Sequence, residues 1–238
     1  MPKSPKRVGT IITPIKMKKH GVLTLSMAVT LLMMSSCSIF EGTGPDAVSC
    51  EITYLNLNTG YNASTESAAD EGTSDANWKL VNIFNSPEHQ TTIPTPNPAI
   101  VTPTSSSWAA PAADAAWISP LGNGNQWEYY NGWFVYETCF TLDDCCQTPA
   151  EGIINIRADN YVRVYMNNNL VADALNVDLF SPIVPSLEVN LIPHLQDGTN
   201  CLRVEVYNAQ GSTGIATPHG LLVEGGITIE DCCAGHSN

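Results

Sequence analysis

Beyond residue 37 the chain has almost no positive charge. Six of its ten Lys and Arg (Lys3, Lys6, Arg7, Lys16, Lys18 and Lys19) precede that point and none of the 23 acidic residues does, which leaves four cations against 23 carboxylates, a formal −19. That charge argues against nucleic acid or bare anionic lipid as a partner, because either would approach against like-charge repulsion. Sustained helical periodicity is missing too, as is any repeat of 20 to 50 residues. The HExxH zinc motif, the Gly-x-Ser-x-Gly elbow, the Walker loop and the dinucleotide glycine pattern are all absent. His89, His194 and His219 are isolated, and each is read as a loop or surface residue rather than half of a catalytic pair. Glycosidase chemistry would need two carboxyl groups about 5 to 10 Å apart, a spacing that sequence does not display. A binding protein without a cofactor is expected, not an enzyme.

What is present begins with Lys16, Lys18, Lys19 and His20, followed by a charge-free apolar run of 13 residues, Val22 to Met34. A helix crossing the hydrocarbon core needs about 20 residues, so the layout is that of a removable export signal. The run ends in Met34-Ser35-Ser36-Cys37, which resembles the lipobox of bacterial lipoproteins. That resemblance implies a thioether lipid on Cys37, cleavage just before it, and two or more acyl chains, enough for a stable anchor. Ordinary signal cleavage, with Cys37 a plain thiol, is the alternative. Met17 reads as the natural start, with residues 1–16 an upstream extension and 17–36 the signal. Ser38, where Asp would retain a lipoprotein at the inner membrane, implies the outer membrane or cell surface.

Residues 37–49 hold Gly42, Gly44 and Pro45 and read as a tether. The folded part is set at 50–233, with 234–238 a tail; about 185 residues suit one core better than two. Seven cysteines remain: Cys50, Cys139, Cys145, Cys146, Cys201, Cys232 and Cys233. Outside the cytoplasm these are disulfide candidates first. The odd count leaves at least one unpaired or joined between chains, and Cys201, buried in a strand, could be a free small hydrophobe. The doublets Cys145-Cys146 and Cys232-Cys233 lack the spacing of a zinc knuckle.

From Pro87 to Pro120 the chain is dense in Pro, Ser, Thr and Ala, and Pro94, Pro96, Pro98 and Pro103 argue against a helix or a central strand there. Strands are expected at Trp133 to Leu142, Ile153 to Ala158, Tyr161 to Met166, Leu187 to Leu191, Leu202 to Tyr207 and Gly226 to Glu230, where apolar residues alternate or run in short β-branched stretches. Turn residues separate them at Asp159-Asn160, Asn167-Asn168-Asn169 and Asp197-Gly198-Thr199-Asn200. The fold class is all-β.

Three blocks carry a resemblance: Trp133-Phe134-Val135-Tyr136 to Leu142, Ile153 to Asp173, and Val189-Asn190-Leu191 through Gly198-Thr199-Asn200-Cys201-Leu202 to Asn208. Together they resemble the galactose-binding-like jelly roll of carbohydrate-binding modules and of accessory domains in glycoside hydrolases, over about Trp78 to Glu230. The second block departs from the pattern, with Asn168 where glycine is usual after Asn167. The resemblance implies a jelly-roll β-sandwich and, more weakly, a carbohydrate ligand, since its motifs encode strands and turns. It also implies neighbouring first and last strands, hence a bridge from Cys50 to Cys232 or Cys233, with a bridge from that doublet to Cys145-Cys146 as the alternative. A structural calcium ion near the termini is conceivable by the same analogy, with Asp75, Asn77, Glu230 and Asp231 as ligands. Asp159 and Asn200 read as turn residues bonding nearby backbone.

The cluster with the chemistry of a sugar site is Trp127-Glu128-Tyr129-Tyr130-Asn131-Gly132-Trp133, after Asn125. Sugars offer apolar C–H faces rimmed with hydroxyls, which suit a flat aromatic beside amide, carboxylate or guanidinium groups. Trp127, Tyr129, Tyr130, Asn125, Asn131 and Trp108 are the candidates; the alternative is that these rings pack under the Pro-rich segment. Other function classes are a surface protein binding a protein partner and a small glycan-active hydrolase.

Overall fold

A computed structural model describes residues 51–86, 92–122, 131–142, 147–209 and 217–231. The lipidation residue Cys37, the cysteines Cys50, Cys145, Cys146, Cys232 and Cys233, and the candidates Asn125, Trp127, Tyr129 and Tyr130 lie outside them. Apart from one 3₁₀ turn at Ile192–His194, the regular structure described is strand: β1 (Glu51–Asn56), β2 (Tyr61–Asn62), β3 (Ser67–Ala68), β4 (Ser74–Phe84), β5 (Asn97–Val101), β6 (Ile118–Ser119), β7 (Gly132–Leu142), β8 (Gln147–Asp159), β9 (Tyr161–Met166), β10 (Asn169–Ala174), β11 (Leu187–Asn190), β12 (Gly198–Asn208) and β13 (Gly220–Asp231). The all-β sandwich expected from the sequence is what forms.

One sheet path runs β10-β9-β12-β7-β4-β5-β6-β13-β8-β11, with β1 also pairing β13, and β10 comes alongside β11 so that the path nearly closes. Strand alternation sets the inside. On β9, Val162, Val164 and Met166 are buried while Tyr161, Arg163 and Tyr165 turn outward; on β12, Leu202, Val204 and Val206 point in. They meet Phe134 and Tyr136 of β7 and Ile154 and Ile156 of β8 in one core. Each such side chain contributes roughly 1.5 to 3 kcal/mol by leaving water.

The β9–β10 hairpin turns on Asn167 and Asn168, with φ of 51° and 66°. Two-residue hairpin turns with positive φ at both positions favour Asn and Gly, so Asn168 stands in for the usual glycine. Asn200 is buried and behaves as a turn residue: its amide donates to Gln196 O and Gly198 O and its Oδ1 accepts from Gln196 N. Asn167 adds a bond to the same Oδ1.

Three expectations need correction, and one open choice is decided. The Pro-rich segment does contain a central strand, β5; Pro98 is tolerated because it opposes only Lys79 of β4, β6 flanking β5 further on at Ile100 and Val101, so the missing N–H has no second strand to serve. For Cys201, the disulfide candidacy holds: it is joined to Cys139, its partner across β7 and β12, and the free-thiol alternative falls away. His219 is fully buried, bonded to the Tyr136 hydroxyl at 2.9 Å. Asp159 does not bond nearby backbone: its Oδ2 accepts the Trp108 indole N–H at 2.8 Å, across 51 residues.

The two outward faces of the sandwich differ. Over β8 and β13 lie loops: Leu222 is covered by Trp108 and Trp117, Glu224 accepts the Ala112 N–H, and Arg157 donates to the carbonyls of Leu179, Ser181 and Val184. Gly220 makes this packing possible, since a β-carbon there would fall 2.5 Å from Trp108 Cη2. The outward face of β4, β7, β12 and β9 carries the site.

Candidate functional site

The open face is built from residues opposite one another on four strands. Phe84 of β4 opposes Trp133 of β7, Trp133 opposes Tyr207 of β12, and Tyr207 opposes Tyr161 of β9. Directly opposed residues project on the same side of a sheet, so four rings form a row. Their centroids are 6.0, 5.1 and 6.2 Å apart in that order, and all four are half-buried.

A second row lies beside the first: Asn82, Val135, Glu205 and Arg163. The Arg163 guanidinium carbon sits 4.3 Å from the Trp133 ring centroid and its Nη1 lies 3.8 Å from Glu205. Such a stacked, partly desolvated cation is held by the ring's negative face. Arg203 approaches the same Glu205 at 3.7 Å and rests over Tyr165.

Over the aromatic row lies a shallow groove of about 470 Å³, lined by Asn85, Asn131, Trp133, Tyr161, Arg163, Leu175 and Tyr207. Asn85 and Asn131 both line it, and beside them Gly132 lets the chain pass close to Ser86, a β-carbon there falling 2.3 Å from Ser86 Cβ. Rings for C–H faces, two amides and a guanidinium for hydroxyls are the chemistry of an open polar-ligand site.

Of the candidates named from sequence, Asn131 lines this groove. Trp108 does not: it is 4% exposed, its ring centroid 4.4 Å from that of Trp117, and it belongs to the core because its indole needs the buried Asp159 carboxyl. Trp133 was named as the last residue of the aromatic cluster and the start of a strand, Tyr161, Arg163 and Tyr207 only as strand residues, and Phe84 not at all. The available signal was the outward set of β9 and β12, where Tyr161, Arg163, Tyr165, Arg203 and Tyr207 stand instead of small hydroxyls.

Burial lifts the Asp159 carboxyl to about 7, the charge of Asp178 adding to the effect and the Trp108 N–H opposing it. Asp75 is likewise raised by burial against three backbone N–H donors, Gly60, Trp78 and Asn77. Its oxygens are thus engaged as a loop staple, and Asp75, Glu230 and Asp231 do not come within 4.8 Å of one another as a group. The described cluster of that kind is Glu137, Cys139 and Cys201, whose two sulfurs are bonded to each other and hold no thiolate for a metal.

No family model matches this sequence, and no curated protein does. Solved structures that overlay part of it include a Streptomyces avermitilis alpha-L-rhamnosidase complexed with L-rhamnose, at 19% identity over 71% of this chain and 12% of that one, with a TM-score of 0.32. A Bifidobacterium dentium beta-glucuronidase overlays at 18% identity over 71% and 22% of the two chains, TM-score 0.33. A Ruminococcus gnavus beta-glucuronidase does so at 14% over 73% and 30%, TM-score 0.36. The chain spans less than a third of the length of each of these enzymes.

Proposed function

We propose that this protein is a glycan-binding module, lipid-anchored through Cys37 at the bacterial outer membrane or cell surface, whose ligand lies along the groove over Trp133, Tyr207 and Tyr161. The observation that carries the reading is the aligned aromatic row beneath a groove whose other lining residues include Asn85, Asn131 and Arg163. Cross-strand aromatic pairs also stabilise a sheet, by roughly 0.2 to 1 kcal/mol each, but that role alone does not call for amides and a guanidinium around an open groove. The lining is one for holding a ligand, and the proposal is of binding rather than hydrolysis.

Replacing Tyr161 or Tyr207 by Ala is expected to weaken glycan binding by about tenfold or more, as truncating a central aromatic anchor does. Stability should fall only by the roughly 0.2 to 1 kcal/mol of each aromatic pair lost, one for Tyr161 and two for Tyr207. Binding to immobilised glycans by the full-length protein in detergent micelles measures the first, and unchanged binding by both variants would remove the groove from consideration.

The anchor has its own test. Cys37→Ala should abolish incorporation of labelled fatty acid and move the protein from the membrane to the soluble fraction, because one short apolar run does not anchor stably. Retention of the variant in membranes would contradict it.

A second reading, a protein partner, is favoured by one feature: Ile52 and Tyr54 of the edge strand β1 are 70% and 57% exposed. Edge strands with such side chains are templates for pairing.

A further inference from the structure

The groove's charge is out of keeping with the rest of the domain. Of the four cations after residue 37, Lys79, Arg157, Arg163 and Arg203, Arg157 is consumed by three loop carbonyls. The other three all belong to the open face, where Lys79 opposes Glu137, Arg203 opposes Glu137 and Arg163 opposes Glu205. Arg163 alone of them lines the groove, and no carboxylate is among the lining residues described.

The guanidinium of Arg163 is positioned but unspent. Glu205, itself buried, is shared between Arg163 at 3.8 Å and Arg203 at 3.7 Å, so one negative charge faces two positive ones. Both separations exceed the 2.7 to 2.9 Å of a charge-assisted hydrogen bond. Asp173, opposite Arg163 on β10, makes no ion pair with it among the described residues. The planar fork, whose five N–H donors match a carboxylate, is thus fixed over Trp133 with donors to spare.

We infer that the groove recognises an acidic sugar, a hexuronic acid residue whose carboxylate pairs with Arg163 while its ring lies against Tyr161 and Tyr207. This rests on the glycan reading above and narrows it. The domain's large negative charge does not oppose it at close range, since at physiological salt charges beyond about 8 Å are screened. The same charge disfavours long polyuronates, so the ligand is a single acidic residue on an otherwise neutral chain.

The test uses uronic-acid-terminated oligosaccharides and the same oligosaccharides after chemical reduction of the carboxyl to a hydroxymethyl group, titrated against the full-length protein in detergent micelles. The parent should bind the uronides roughly tenfold more tightly, a difference of the size of one charge-assisted hydrogen bond. Arg163→Gln should bind both sets alike, at the affinity the parent shows for the reduced set, and Arg163→Lys should recover only part of the preference because it lacks the fork. Equal binding of both sets by the parent, or a preference surviving in Arg163→Gln, overturns this inference and leaves the glycan reading standing. If neither set binds and Tyr161→Ala and Tyr207→Ala match the parent on every immobilised glycan, both readings fail together.

Discussion

Between pH 4 and pH 7 the domain is expected to lose up to about 4 kcal/mol of stability through one buried carboxyl, since each tenfold change in a protonation equilibrium is worth about 1.4 kcal/mol. The group is Asp159, whose ordinary value of 3.8 is lifted to about 7 chiefly by burial. A raised carboxyl means that the folded state holds its proton where the unfolded chain has released it. Its contribution is therefore complete below about pH 4, falls as pH rises through the interval, and is gone above about 7. Asp159→Asn keeps an acceptor for the Trp108 indole and cannot ionise. Urea unfolding at pH 4 and at pH 8 should show a smaller difference in the variant than in the parent by several kcal/mol. Asp75 is shifted in the same direction and is present in both proteins, so the comparison isolates Asp159. Parallel pH profiles would mean that the carboxyl is ionised in the fold.

The second large effect belongs to the Cys139–Cys201 disulfide, which closes a loop over a sequence separation of 62 residues. In the chain-entropy model a loop of that size is worth about 4 kcal/mol, and real bridges often deliver less. Replacing both cysteines by Ala should lower the unfolding free energy by about 2 to 4 kcal/mol, seen as a lower urea midpoint. An unmoved midpoint would show the bridge to be energetically idle. Peptide mapping without reduction should recover the two residues in one linked fragment. The same map decides the remaining pairs. Asp231 is flanked by Glu51 on β1 and Gln147 on β8, so the residues adjoining Cys50, Cys146 and Cys232 meet at one end of the sheet. A fragment joining Cys50 to Cys232 or Cys233 is expected, and Cys50 recovered free would contradict it.

The alternation Val162, Val164, Met166 against Tyr161, Arg163, Tyr165 was legible because a strand's period of two shows in six residues. So was the Asn167-Asn168 turn, whose backbone asks for residues that tolerate positive φ. Strand β5 was not, because whether Pro98 is admissible depends on which neighbour flanks it, and that is a matter of pairing. Trp108 illustrates the opposite failure. An exposed platform and a core indole look alike in sequence, and only the arrival of Asp159 from 51 residues away separates them. The groove was hidden for the same reason: Phe84, Trp133, Tyr161 and Tyr207 become neighbours through register across four strands. Sequence tells which side chains leave the core, but pairing decides which of them come to lie side by side.

A ligand lying over the β7–β12–β9 face must shield the strands beneath it from solvent. Hydrogen–deuterium exchange of the full-length protein in detergent micelles, with and without a saturating bound oligosaccharide, reads that shielding directly. Slowed exchange should appear in 131–135, 161–165 and 203–207 and leave β8 and β13 unchanged. Protection confined to the loops over β8 and β13, or to β1, would contradict it.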